Sequence, residues 1–170
     1  MALGGVTTSG TTSSATPSVV LDASSVPASG VWASIQVTHN FTKNERPQLE
    51  GNRLVWQAFD GTDWEIEAYD LSTGALTQLT DDRVDETDPK LSGDRVVWIR
   101  AQTQPVGDKA IGSDAQPSLV LFDFATGASR PVQGSEGVQD ASLVGDLLVW
   151  RARSGSESDI FVNDLATGQT

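Results

Sequence analysis

Side chains capable of chemistry are sparse in this 170-residue chain, and their spacing limits what they could do. The densest group is Asp81-Asp82-Arg83-Val84-Asp85-Glu86-Thr87-Asp88, with five carboxylates in eight residues. Hard cations such as calcium take several oxygen ligands at close quarters, so a calcium site at 81–88 is one reading. The spacing is not that of an EF-hand loop, and the matching residues before Pro47 are Lys43, Asn44, Glu45 and Arg46. A solvated acidic loop without a cofactor is therefore the preferred reading. His39 is the only histidine, and internal alignment sets it opposite Asp81, as a turn residue rather than a general base. The sequence has no cysteine and no Gly-x-Ser-x-Gly elbow, and its serines cluster in turn-like stretches such as Ser154–Ser158. We accordingly assign no catalytic, cofactor-binding or metal residue, and expect no enzymatic activity.

The tryptophans divide into two kinds. Trp56, Trp98 and Trp150 each end the same short apolar run, which marks them as packing residues between neighbouring sheets rather than sugar-stacking platforms. Trp64 occurs once, beside Asp60-Gly61-Thr62-Asp63, and reads as a loop residue and the best single candidate for an exposed contact, including a glycan. The insert 102–117, which adds ten residues between the second and third of the recurring tryptophans, is the other candidate binding loop.

What positions these residues is a repeat. Pro47-Gln-Leu-Glu-Gly-Asn-Arg-Leu-Val-Trp56, Pro89-Lys-Leu-Ser-Gly-Asp-Arg-Val-Val-Trp98 and Ala141-Ser-Leu-Val-Gly-Asp-Leu-Leu-Val-Trp150 are variants of one segment. Each is followed by a second echo, ending in Asp70-Leu-Ser-Thr-Gly74, Asp123-Phe-Ala-Thr-Gly127 and Asp164-Leu-Ala-Thr-Gly168. Repeats of this length mean stacked copies of a unit that cannot bury its apolar face alone. The runs ending in tryptophan leave Gly-Asn or Gly-Asp turns and read as strands buried on both faces. Glu65–Tyr69, Ser118–Phe122 and Asp159–Asn163 alternate with period two and read as a third strand, with an Asp-x-x-Thr-Gly turn after it. Leu76–Thr80 then makes a fourth strand, completing a four-stranded antiparallel blade.

These residues, with Gln78-Leu-Thr-Asp81, resemble the TolB-like β-propeller repeats over about residues 33–170. The resemblance implies an all-β fold of four-stranded antiparallel propeller blades, here a partial propeller of about three. It also implies an extracellular, periplasmic or cell-envelope location. The division expected is a flexible Ser/Thr/Gly leader at 1–18, N-terminal strand material at 19–46 complementing another blade, and blade 1 at 47–88. Blade 2 follows at 89–139 with the 102–117 insert, and an incomplete blade 3 at 140–170.

Residues 33–51 align without a gap on 75–93, so Ile35–Thr38 is expected to be a fourth strand lacking its own blade. Propellers close with four to eight blades, so three require completion, by a second copy, by strand exchange along a filament, or by a longer parent chain. The third strand at Asp159–Asp164 would then offer a free edge to a partner strand.

A net charge of −12 repels phosphate backbones and anionic membranes, so nucleic acid and membrane insertion are poor partners. A non-enzymatic scaffold for protein interaction or self-assembly by strand complementation is the leading expectation. A filament or surface-assembly subunit, a gating propeller segment of a prolyl-oligopeptidase-like hydrolase, and a carbohydrate-binding module are the alternatives.

Overall fold

A computed structural model describes residues 34–39, 43–101 and 116–167. Among these, all regular structure is β, in three antiparallel sheets. The first holds β1 (Asn44–Glu50), β2 (Arg53–Phe59), β3 (Trp64–Asp70) and β4 (Ala75–Gln78) in sequential order. The second repeats it with β5 (Glu86–Ser92), β6 (Arg95–Arg100), β7 (Ser118–Asp123) and β8 (Ala128–Pro131). The third contains β9 (Val138–Val144), β10 (Leu147–Ser154) and β11 (Glu157–Asp164), with no fourth strand among the described residues. The leader 1–18, most of the 19–46 segment and residues 102–115 of the insert lie outside the described residues.

The turns form for the reasons their residues suggest. Gly51, Gly93 and Gly145 take φ of 56°, 57° and 58° at the first turn position, which a side chain would strain, so the β1–β2, β5–β6 and β9–β10 hairpins are tight. After the third strand, the Asp70 carboxylate accepts from the Ser72 and Thr73 amides, Asp123 from Ala125 and Thr126, and Asp164 from Ala166 and Thr167. These bonds hold Asp70 and Asp164 below the ordinary carboxylate range, through Ser72 first in one and the Ala166 amide in the other.

The core lies between sheets. Val55, Ile66 and Ala68 of the first blade pack on Leu91, Val96 and Trp98 of the second. Their equivalents Val97, Leu119 and Leu121 pack on Leu143, Leu148 and Trp150 of the third. The recurring tryptophans are thus inter-blade packing residues, as expected. A further plug repeats between blades: Leu79 and Val132 follow the fourth strands, their amides bond the carbonyls of Ile66 and Leu119, and both join these cores.

Three expectations change. The Ile35–Thr38 segment forms no strand; instead Val37 packs on Trp56, Ala58 and Tyr69, on the outer face of the first blade. It stands there where gapless alignment puts the equivalent of Leu79. The stretch 81–88 is only partly a loop, because Glu86-Thr87-Asp88 opens β5, and Glu86 is buried. Burial on both faces holds for β2 and β6 but not for β10, where only Leu148, Trp150 and Ala152 are buried. The cause is the neighbour: nothing among the described residues packs on the far side of the third sheet.

Candidate functional site

Two features stand outside the repeated packing. The first is the pair of open blade faces. Val55 and Val97 are 0% exposed and Ile66 and Leu119 are 0% exposed, yet the matching Ile160 is 69% exposed and Val162 51%. Val144 and Leu147 share this face by their pairing with each other in the β9–β10 register, and both are exposed. On the outer face of the first blade, Leu49 is exposed where its equivalents Leu91 and Leu143 are buried, and Leu76 is exposed beside it. Most of the exposed large apolar side chains therefore lie on the two faces that lack a neighbouring sheet.

Ion pairs mark the same repeat. Arg53 pairs with Asp94 of the next blade at 2.8 Å and lies 3.9 Å over the Phe124 ring. Arg95, the equivalent in the second blade, pairs with Asp146 of the third. In the third blade this arginine is replaced by Leu147, and in the first blade the aspartate is replaced by Asn52. The charge is missing from both open faces, one on each side of the contact that a next blade would make.

The second feature is a carboxylate cluster on one end of the first blade. The β2–β3 turn carries Asp60 and Asp63, β3 contributes Glu65, and one carboxylate oxygen from each lies within 4.8 Å of the others. Asp60 is exposed and organises the turn by accepting the Thr62 amide at 2.6 Å and the Asp63 amide at 3.1 Å. Those bonds lower its pKa. Asp63 is 6% exposed, and neither of its oxygens has a hydrogen-bond partner. Glu65 is buried, with Oε1 accepting from the Asp82 amide at 3.1 Å and Oε2 unpartnered. Burial, reinforced by neighbouring carboxylates, pushes both acids above their ordinary range.

The interblade connector joins this cluster. Asp85 accepts the Trp64 amide at 3.0 Å, and Asp82 pairs with Arg100 at 2.6 Å. Arg100 also meets Glu86 Oε1 at 2.5 Å, but burial outweighs that cation and pushes Glu86 up to about 8. The acidic stretch at 81–88 was legible in sequence, whereas its meeting with Asp60-Gly-Thr-Asp63 was not, because the junction depends on a blade connector folding back over a hairpin turn.

Trp64 differs from its expected place. It is the first residue of β3, half-buried, with its ring 5.5 Å from that of Phe59. It lines a groove of about 530 Å³ with Arg46, Gln57, Asp88, Asp140 and Arg151, at one end of the inner strands. His39 is exposed, and no other candidate residue lies in a catalytic arrangement with it.

The fold and these open faces define a β-propeller segment of three TolB-like blades. No protein-family model matches the chain, and no curated protein matches it significantly. Among solved structures it is similar to TolB from Acinetobacter baumannii, with a TM-score of 0.57 and 16% identity, covering 78% of this chain and 32% of TolB. It is similar to the β-propeller domain of the trilobed protease from Pyrococcus furiosus, described as having an open velcro topology, with a TM-score of 0.57 and 13% identity over 76% of this chain and 41% of that one. Puromycin hydrolase matches with a TM-score of 0.56 and 15% identity over 75% of this chain and 20% of the enzyme. The chain thus spans between a fifth and about two fifths of these proteins, and at such identities the likeness is one of fold.

Proposed function

We propose that this segment is a non-enzymatic β-propeller scaffold, of the cell envelope or extracellular space, whose open blade faces bind protein, and that the occupant is a second copy of the chain joined head to tail. The observation that carries this reading is positional. Ile160 and Val162 are exposed where their equivalents in the two preceding blades are fully or almost fully buried by the next sheet. A face built for a blade is completed at least cost by another blade. The outer face of the first blade, with Leu49 and Leu76, has the sequence of a next blade and is itself uncovered. The charge pattern supports a copy over an unrelated partner, because Leu147 would meet Asn52 where Arg53 meets Asp94 and Arg95 meets Asp146. An arginine against asparagine, or a leucine against aspartate, would leave a desolvated charge unpaired. The TolB likeness supports the envelope location.

Sedimentation velocity from about 1 to 200 µM tests this, a range that brackets the micromolar affinities of modest interfaces. The expected result is a mass rising above the 18.0 kDa monomer, abolished by the double variant Ile160→Glu/Val162→Glu. These side chains are exposed, so the variant should keep the wild-type circular dichroism. A mass fixed at that of the monomer across the range would sink the reading. The peptidase propellers among the similar structures favour a second reading, in which the segment forms part of a gating propeller. In that case the open faces are covered by further blades of a longer chain, and adding those blades would abolish self-association.

A further inference from the structure

The carboxylate cluster at the β2–β3 turn is independent of the open faces, and its composition and burial are unusual. A carboxylate removed from water costs free energy unless it is paired, hydrogen-bonded, protonated or bound to a cation. Asp63 meets none of the first two conditions: it is nine-tenths buried, and both oxygens lack a donor. Glu65 Oε2 is unpartnered as well, within the same 4.8 Å group. Arg100, which might have neutralised the cluster, is engaged with Asp82 and Glu86.

We propose that Asp60, Asp63 and Glu65 form a binding site for a hard divalent cation, calcium before all others. The donors are carboxylate oxygens alone, with no imidazole or thiolate, which suits calcium or magnesium and not zinc or copper. Asp60 is exposed and opens the site to solvent, so water can complete the coordination sphere. Calcium is preferred because it tolerates an irregular, partly hydrated shell of six to eight oxygens, whereas magnesium demands near-octahedral geometry. Asp82 and Asp85, on the connector behind the turn, add negative potential without being required as ligands. A cation here would tie the first blade's hairpin to the connector that leads into the second blade. The matching turn of the third blade, Ser154-Gly-Ser-Glu157, offers a single carboxylate. The site belongs to the first blade among the described residues.

Calorimetric titration of chelator-treated protein with calcium chloride, alongside thermal melts, is the test. We expect one site per chain and a midpoint raised by about 5 °C at saturating calcium, the shift mass action gives for roughly a hundredfold excess over Kd. Magnesium should give less than half that shift. Asp63→Asn should abolish the calcium response while raising the calcium-free midpoint, because it removes an unpaired buried charge. Asp60→Asn, at an exposed position that cannot unfold the core, should weaken calcium binding at least tenfold. No heat and no midpoint shift at millimolar calcium would overturn the proposal. So would a calcium response retained in full by both variants.

Discussion

Val97, Leu119 and Leu121 of the second blade and Val149, Ile160 and Val162 of the third stand at the same positions of the same repeat, yet the first three are buried and the last two are exposed. The local structures agree: both sheets have tight Gly-Asp hairpins, the same Asp-x-x-Thr turn and the same antiparallel register. What differs is only the sheet that follows. In a stacked array, burial is a property of the interface between units, and the sequence of one unit specifies a surface that its own fold does not cover. The difference therefore separates residues that stabilise this chain from residues that await a neighbour.

The sharpest way to break the comparison is to truncate one member of an equivalent pair. Leu119→Ala removes a fully buried side chain from the core between the second and third blades and should cost about 2–5 kcal/mol. Ile160→Ala, at the matching exposed position, should stay within about 0.5 kcal/mol in dilute solution. Urea unfolding at micromolar concentration measures both. Equal losses would mean that Ile160 is already covered in solution, and the distinction drawn between the two blades would fail.

A smaller effect is expected where the second and third blades are joined. Ser135 is fully buried, accepting the Leu119 amide at 2.9 Å and donating to the Val132 carbonyl at 2.6 Å. In the first blade the hydroxyl of Thr80 takes the Ile66 amide in the same way. Ser135→Ala strands a buried amide and should cost about 1–3 kcal/mol by the same unfolding measurement. Replacement by Thr, which keeps the hydroxyl, should recover part of it; equal losses in the two variants would point to packing instead.

Much of this architecture was legible in the sequence, and the limits have physical causes. The three Val-Val-Trp type runs and the Asp-x-x-Thr-Gly turns identify strands because their local chemistry, alternation and turn residues, is carried within each repeat. Trp56, Trp98 and Trp150 are identifiable as core for the same reason. Trp64 was misread because Asp60-Gly-Thr-Asp63 is the whole turn, leaving the tryptophan to open the strand that follows. Ile35–Thr38 has the sequence of a fourth strand but no third strand of its own blade to pair with, and a strand without a ladder is only chain. The carboxylate cluster needed the fold, since Asp63 and Asp85 are brought near each other by a connector whose path no periodicity encodes.

The smallest effect expected concerns charge at the open faces. Between blades, Arg53–Asp94 and Arg95–Asp146 are partly exposed pairs, and such pairs contribute about 0–1 kcal/mol each. At a junction between copies the same contact is Leu147 against Asn52. Leu147→Arg alone should weaken self-association, because the guanidinium would be partly desolvated without a carboxylate to meet it. Asn52→Asp alone should weaken it for the mirror reason. Together they recreate the internal pair, and association should return to within a few-fold of wild type, a coupling of about 1 kcal/mol or less. A double-mutant cycle on the sedimentation Kd reads this directly. If the two effects simply add, Leu147 and Asn52 do not face each other, and the copies do not meet as successive blades do.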